Sequence, residues 1–441
     1  MMKRYSGLIV LFLLVKSACA QQLSGKLDEA ISTYVRQEKF TGTVLIASHG
    51  RIILNKGYGL RDAAAGAPNT PATVYELASI AKTFTAAVIL KLREQGKLAL
   101  SDPLSKYDPG YPNGAQITIA ELLSHTAGIY DYVRDPEFQQ SDQSKPVPLE
   151  AMIGIFKNKP LNFEPGTKFS YSNSGYTLLG YIIEQITGKP YRQVLDELII
   201  QPLGLTHTGY DFPSLVDSNK ATGYQVYAAG NYQPAILVDP SVLYTTGALY
   251  STAGDLYKWH QALQGDRFLT AAVKKEMYTP AKGPYGYGWF ADSLFGRKRV
   301  SHDGNVAGFK TNINRFPDDD LCVIALSNSS SSRVGEIVRV LVSILCDQPY
   351  QLPVERKSIR VSNATLETYC GTYQFGPQTT LIISLENSRL FVQGKGVPKT
   401  ELFAESPVSF FGRTMEVKVE FSPGEINFYP GKQKFTGKKI N

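Results

Sequence analysis

Strand-like runs stand at both ends of a long, largely helical interval in this chain, and neither end has enough strands to make a sheet alone. Gly42 to Ser48 and Ile52 to Tyr58 read as two strands turned at His49-Gly50. Arg299 to His302, Thr311 to Phe316 and Cys322 to Ser327 read as three more. A helical pattern precedes the first pair (Leu27 to Glu38) and another follows the last strand (Val334 to Cys346). Pairing the two ends gives one antiparallel sheet, with the terminal helices on one face and the helical insertion on the other. The expected fold class is α+β, an antiparallel sheet flanked by helices with a helical subdomain. After Asp347 the pattern changes. Pro349 to Arg360 reads as a linker, and from Leu366 onward short strands dominate. Val417, Val419 and Phe421 alternate there with Glu416, Lys418 and Glu420, a half-buried period of two. Leu381 to Leu385 and Leu390 to Gln393 flank Glu386-Asn387-Ser388 as a hairpin, and Tyr429-Pro430-Gly431 reads as another turn. The expected organisation is a signal peptide over residues 1–20, a sheet-and-helix domain over 21–348, a linker over 349–365 and a small all-β barrel over 366–441.

The export reading rests on Lys3 and Arg4, an apolar run from Leu8 to Val15, and Ala18-Cys19-Ala20 as a small-x-small cleavage site before Gln21. The apolar run falls far short of the ~20 residues a membrane span requires. No transmembrane segment is expected, and the mature chain should be secreted or periplasmic. Cys19 opens a lipoprotein alternative, against which Lys16 stands where a lipidation signal wants an aliphatic residue. Cleavage would remove Lys3, Arg4 and Lys16 and lower the formal charge from +7 to +4, too mild a balance for a nucleic-acid partner. The remaining cysteines are Cys322, Cys346 and Cys370, an odd number, so at least one is unpaired within the chain. Cys322 in its strand and Cys346 in its helix read as buried thiols. No paired-cysteine or His-x-x-x-His spacing suggests a metal, and no cofactor is expected.

Chemistry points to Ser79-Ile80-Ala81-Lys82, the only Ser-x-x-Lys in the chain. The segment from Ser79 to Gly96 is rich in helix formers, and residues three apart on a helix share a face, which brings the lysine beside the hydroxyl. A serine hydroxyl needs such a base to act as a nucleophile near neutral pH. Acyl transfer then needs a proton carrier to the leaving atom, polar groups on the substrate and backbone N–H donors for the oxyanion. Tyr171 in Tyr171-Ser172-Asn173 suits proton carrying, since a phenol held between cations should have its pKa lowered. Asn173 can hold both Lys82 and a substrate carbonyl. His302-x-Gly304 offers an imidazole wall and a glycine that lets backbone approach closely. Tyr111-x-Asn113 and His207-x-Gly209 repeat these patterns, the first in a Pro/Gly turn cluster and the second after a helix end, and both read as decoys. His125 reads as structural, holding a loop that leads toward the site, and Trp289 with Tyr285 and Tyr287 as packing behind the His302 strand. The polar stretch Tyr130 to Pro148 lacks periodicity and reads as a long loop of the kind that walls a substrate site.

The ordered set Ser79-x-x-Lys82, Tyr171-x-Asn173 and His302-x-Gly304 resembles the serine β-lactamase and penicillin-binding-protein family. It looks closest to the branch with class C β-lactamases, D-alanyl-D-alanine carboxypeptidases, D-aminopeptidases and esterases. FTGTVLIASHGRIILNKGYGLRD, ITIAELLSHTAGI, GALYSTAGDLYKW and YGYGW extend the likeness from about Leu27 to about Asp347. The resemblance implies Ser79, Lys82 and Tyr171 as catalytic residues. It implies Asn173, His302, Gly304 and Asn305 as substrate-binding, with the N–H groups of Ser79 and Asn305 as the oxyanion hole. His302 stands where β-lactamases usually carry a lysine that binds the substrate carboxylate, which implies weak penicillin turnover. The C-terminal strands resemble the lipocalin-like accessory domains of some members. The function implied is an exported serine hydrolase forming an acyl-enzyme on an ester, amide or D-amino-acid peptide, with a small-molecule or cell-wall-derived peptide as partner. The alternatives are a D-alanyl-D-alanine carboxypeptidase or β-lactamase, and a non-catalytic sensor or binding protein.

Overall fold

The computed structural model describes residues 21–441 apart from 229–230, 355, 378, 395–398, 414–416 and 432. Residues 1–20, with Cys19, lie outside the described part, as does Glu416. The central sheet has six strands, Phe290–Leu294, Arg297–Val306, Phe309–Phe316, Leu321–Ser327, Gly42–Ser48 and Arg51–Tyr58, in that spatial order and all antiparallel. The first strand in sequence lies directly against the last, with Gly42 opposite Ser327 and Ser48 opposite Leu321. His49 and Gly50 turn the N-terminal hairpin with φ of +50° and +73°, the left-handed pair a tight two-residue turn requires.

Alternation along these strands separates two cores. Val44, Ile46, Val323 and Ala325 pack against the helix over residues 21–36 and the helix Val334–Leu345. Leu45, Ala47, Ile324 and Leu326 face the other way, into the helical insertion. That is the arrangement the separated strand runs imply. Its sixth strand, Phe290–Leu294, has no such signature, because its residues are half-buried or exposed at the sheet edge. The Tyr130–Pro148 stretch is not structureless as its polarity suggests. Asp135 accepts from the N–H groups of Glu137 and Phe138 and, with Pro136 behind it, starts the short helix Pro136–Gln140.

Beyond the linker, eight strands from Gly371 to Lys439 form a closed barrel, sealed where Tyr373 and Gln374 pair with Lys439 and Lys438. Val417, Val419 and Phe421 point inward with Ile426 and Phe410. The second hairpin turns at Asn387 and Ser388, with φ of +47° and +62°. The linker is tied at both ends: Gln37 Nε2 donates to the Pro353 carbonyl, and the Ile359 N–H donates to that of Ala404. All three cysteines of the described residues are free. Cys322 is buried and its thiol is pushed up to about 12 by that burial, but Cys346, at the end of its helix, is only half-buried.

Candidate active site

Ser79 sits in a single 3-10 turn, Ala78–Ile80, that runs into the helix Ala81–Glu94. The helix thus begins two residues later than its composition suggests. Ala78 carries φ of +50°, a conformation that costs a residue with a β-carbon and that sets the half-buried serine at the corner of the turn. The tight turn is pressed against the strand Arg297–Val306. A β-carbon on Gly304 would stand 2.1 Å from both the Leu77 carbonyl oxygen and Thr311 Oγ1, so only glycine fits there. Thr311 Oγ1 donates to that same carbonyl at 2.7 Å and locks the turn to the sheet.

Lys82 is fully buried, and its Nζ donates to Ser79 Oγ at 3.1 Å and to the Thr246 carbonyl at 3.0 Å. Burial pushes its pKa down to about 7, against the pull of the Asp131 charge. Lys82 is therefore close to half neutral near pH 7, the state in which its lone pair can take a proton. Its second partner is a backbone carbonyl, not Asn173. Asn173 instead turns to Asp131: its backbone N–H donates to Oδ1 at 2.9 Å, and its Nδ2 lies 3.3 Å from the same oxygen.

Tyr171 lies beside both, with Lys82 Nζ 5.1 Å from its ring centre. The expected lowering of its pKa does not occur. Burial dominates and raises it above the ordinary phenol value, the Ser79 hydroxyl opposes that rise only in part, and the nearby Asp131 and Asp303 carboxylates add to it. In the resting site Tyr171 is a phenol that holds its proton, and Lys82 is the group that titrates near neutral pH.

Behind Tyr171 is a buried aromatic stack. His125 packs 4.2 Å from the Tyr171 ring and 4.5 Å from Tyr285. The Ser172 N–H donates to His125 Nδ1, and the Ser170 N–H donates to the His125 carbonyl, so this residue orients the whole Tyr171 segment. Burial holds the imidazole well below 6.5 and neutral. His302 belongs to the same layer. It is buried, its Nδ1–H donates to the Asp303 carbonyl at 2.7 Å, and its Nε2 accepts from the Tyr285 hydroxyl at 2.8 Å. Burial and the nearby Lys82 charge lower its pKa to about 3. Both ring nitrogens are occupied within the protein.

Over Ser79 opens a cavity of about 390 Å³ lined by Ser79, Tyr171, Asn173 and Asn305 with Tyr132, Phe138, Val238, Val242 and Val306 among others. His302 and Gly304 are not in its lining; they stand behind it as support. Tyr111, Asn113, His207 and Gly209 are also outside it. Asp131 and Thr246 escaped the sequence reading because no spacing relates either to Asn173 or Lys82. Among the described residues no cluster of three or more His, Cys, Asp or Glu could hold a metal, and no helix is long and apolar enough to cross a membrane.

A serine turn clamped to an antiparallel sheet, with a buried lysine under its hydroxyl, fits a class of serine hydrolase. Residues 27–342 match the Beta-lactamase family model, and the chain belongs to that family. It is 30% identical over 436 residues to penicillin-binding protein 4* of Bacillus subtilis (strain 168), covering 90% of this chain and 94% of that one. Among solved structures, the octameric penicillin-binding protein homologue from Pyrococcus abyssi superposes with a TM-score of 0.67 at 24% identity, over 93% of this chain and 99% of that one. The D-stereospecific amidohydrolase from Streptomyces sp. gives 0.62 at 25%, over 71% and 99%.

Proposed function

We propose that this chain is an exported serine hydrolase that forms a covalent ester on Ser79 from an ester, amide or D-amino-acid peptide. The observation that carries the reading is the Lys82 Nζ to Ser79 Oγ hydrogen bond of 3.1 Å at a lysine whose pKa is lowered to about 7. Ser79 Oγ attacks the substrate carbonyl carbon as its proton passes to neutral Lys82. The N–H groups of Ser79 and Asn305 hold the oxyanion, and Asn173 orients the substrate. The bond to the leaving alcohol or amine then breaks, and the leaving atom takes the proton delivered through Tyr171. Water, losing its proton to the freed lysine, attacks the Ser79 ester; the acid departs and Oγ regains a hydrogen. The Lys3-Arg4 start, apolar run and Ala18-Cys19-Ala20 site support export. The likeness to a penicillin-binding protein supports a second reading, a D-alanyl-D-alanine carboxypeptidase or β-lactamase, with the same first half-reaction.

Fluorophosphonate or fluorescent-penicillin labelling with peptide mapping tests the reading. The adduct should fall on the peptide containing Ser79, and Ser79→Ala should lower turnover at least about 1,000-fold. A Ser79→Ala protein that labels or turns over like the parent sinks the proposal. Comparing a p-nitrophenyl ester, D-amino-acid amides, a D-Ala-D-Ala peptide and a chromogenic cephalosporin separates the two readings.

A further inference from the structure

The walls of the Ser79 cavity carry no charged side chain among the described residues. Its sides are apolar, built from Tyr132 and Phe138 on one segment and Val242 on another, and its polar wall residues Gln139 and Gln143 are neutral amides. At the mouth, Val133 and Ile236 are 42% and 64% exposed although both line the cavity. Large aliphatic side chains held in water on two sides of one opening mark a surface that an apolar ligand would cover. Lys82, the cation bonded to Ser79, is buried and committed to that hydroxyl and the Thr246 carbonyl. The imidazole of His302 is turned into the protein, with both nitrogens bonded. The nearest fixed charge on the Asn173 side is the buried Asp131 carboxylate, which repels anions. A substrate carboxylate seated among these walls would lose hydration and meet no cation in the lining.

Building on the acyl-enzyme reading above, we infer that this site selects acyl donors with a bulky, uncharged apolar acyl group and discriminates against those that carry a carboxylate. Phe138 and Val242 would bound the acyl group, while Val133 and Ile236 cover it at the mouth.

The test keeps the leaving group constant. The full chain is assayed with p-nitrophenyl acetate, p-nitrophenyl 5-methylhexanoate and mono-p-nitrophenyl glutarate, the last two nearly equal in shape and different in charge, and the Ser79→Ala rate is subtracted from each. kcat/KM should rise about tenfold or more from acetate to 5-methylhexanoate, and fall about 100-fold or more from 5-methylhexanoate to glutarate. Ile236→Lys, at an exposed position that tolerates the change, should raise the glutarate to 5-methylhexanoate ratio about tenfold by placing a cation at the mouth. Ser79-dependent acetate turnover with no gain for the larger acyl group, with glutarate within threefold of its neutral partner, or with a ratio unmoved by Ile236→Lys, overturns this inference and leaves the acyl-enzyme intact. Absence of Ser79-dependent turnover for all three esters overturns both.

Discussion

The open six-stranded sheet and the closed eight-stranded barrel bury their interiors in opposite ways. The open sheet is covered by helices on both faces, and the layers around it enclose Lys82, His125, His302, Asp131 and Arg315. The barrel closes on itself, and among its described residues Thr400 is the only polar one that is buried. Its interior is otherwise Leu390, Phe410, Val419, Ile426 and similar side chains. An apolar interior needs only volume and pattern to be stable, whereas each buried ionisable group must be held neutral or supplied with hydrogen bonds. In the helical layer that requirement is met by contacts that place chemistry: the Thr246 carbonyl on Lys82, the Ser172 N–H on His125, and the Tyr285 hydroxyl on His302. Every buried lysine, histidine and arginine among the described residues lies in the sheet-and-helix domain.

The sharpest way to break this contrast is to remove a member of the buried set. Lys82→Ala and Tyr171→Phe should each lower ester turnover about 100-fold or more, and the double variant should lose little beyond the worse single change. Additive losses would mean that the two do not act as a unit.

Gly304→Ala tests the clamp between turn and strand. The added methyl meets backbone at 2.1 Å, so the Ser79 turn must move. Turnover should fall about tenfold or more, with a loss of about 1–3 kcal/mol in urea unfolding. A variant as active and as stable as the parent would remove the clamp from the account.

A third test varies pH. With Lys82 as base at about 7, kcat/KM should fall roughly tenfold per unit as the pH drops below that value. The same layer should show in stability. The folded pKa of His302 lies near 3, below the ordinary 6.5, so between those values the unfolded chain binds a proton that the folded chain does not. Its stabilising contribution is complete above pH 6.5 and is lost as the pH falls toward 3. His302→Gln should flatten that acid limb in urea midpoints, whereas barrel substitutions should leave its slope unchanged.

The smallest effect on turnover is expected from the barrel. Ile426→Ala should destabilise the barrel by about 2–4 kcal/mol while changing Ser79 labelling less than about twofold. A chain ending at Gln351 should fold and keep esterase activity within about threefold, because every residue assigned to chemistry precedes that point. One ending before Val334 should be insoluble, since the sheet face formed by Val44, Ile46, Val323 and Ala325 would lose its cover. If the shorter chain folds and the longer one does not, the division between the two regions lies elsewhere.

Several elements were readable because their signal is local. Runs such as Gly42–Ser48 and Leu321–Ser327 declare themselves by apolar β-branched content, and the helix Val334–Leu345 by its period. The turn at His49-Gly50 follows from residues suited to positive φ. Phe290–Leu294 was not readable, since an edge strand need not alternate, and the Pro136–Gln140 helix was hidden in a polar segment despite its Asp135-Pro136 cap. In the site, the Ser79–Lys82 pair is a matter of helical spacing. The same is not true of Asp131 with Asn173, Thr246 with Lys82, or Tyr285 with His302.

What the sequence by itself determined is which residues are chemically capable and which face of each element turns inward, because period and spacing act over a few residues. Only the tertiary structure decided the protonation states. Whether Lys82 titrates near 7, whether Tyr171 stays a phenol and whether His302 faces the cavity depend on burial and on partners brought in from distant segments. Desolvation is a property of the packed layer as a whole, and no short window of sequence contains it.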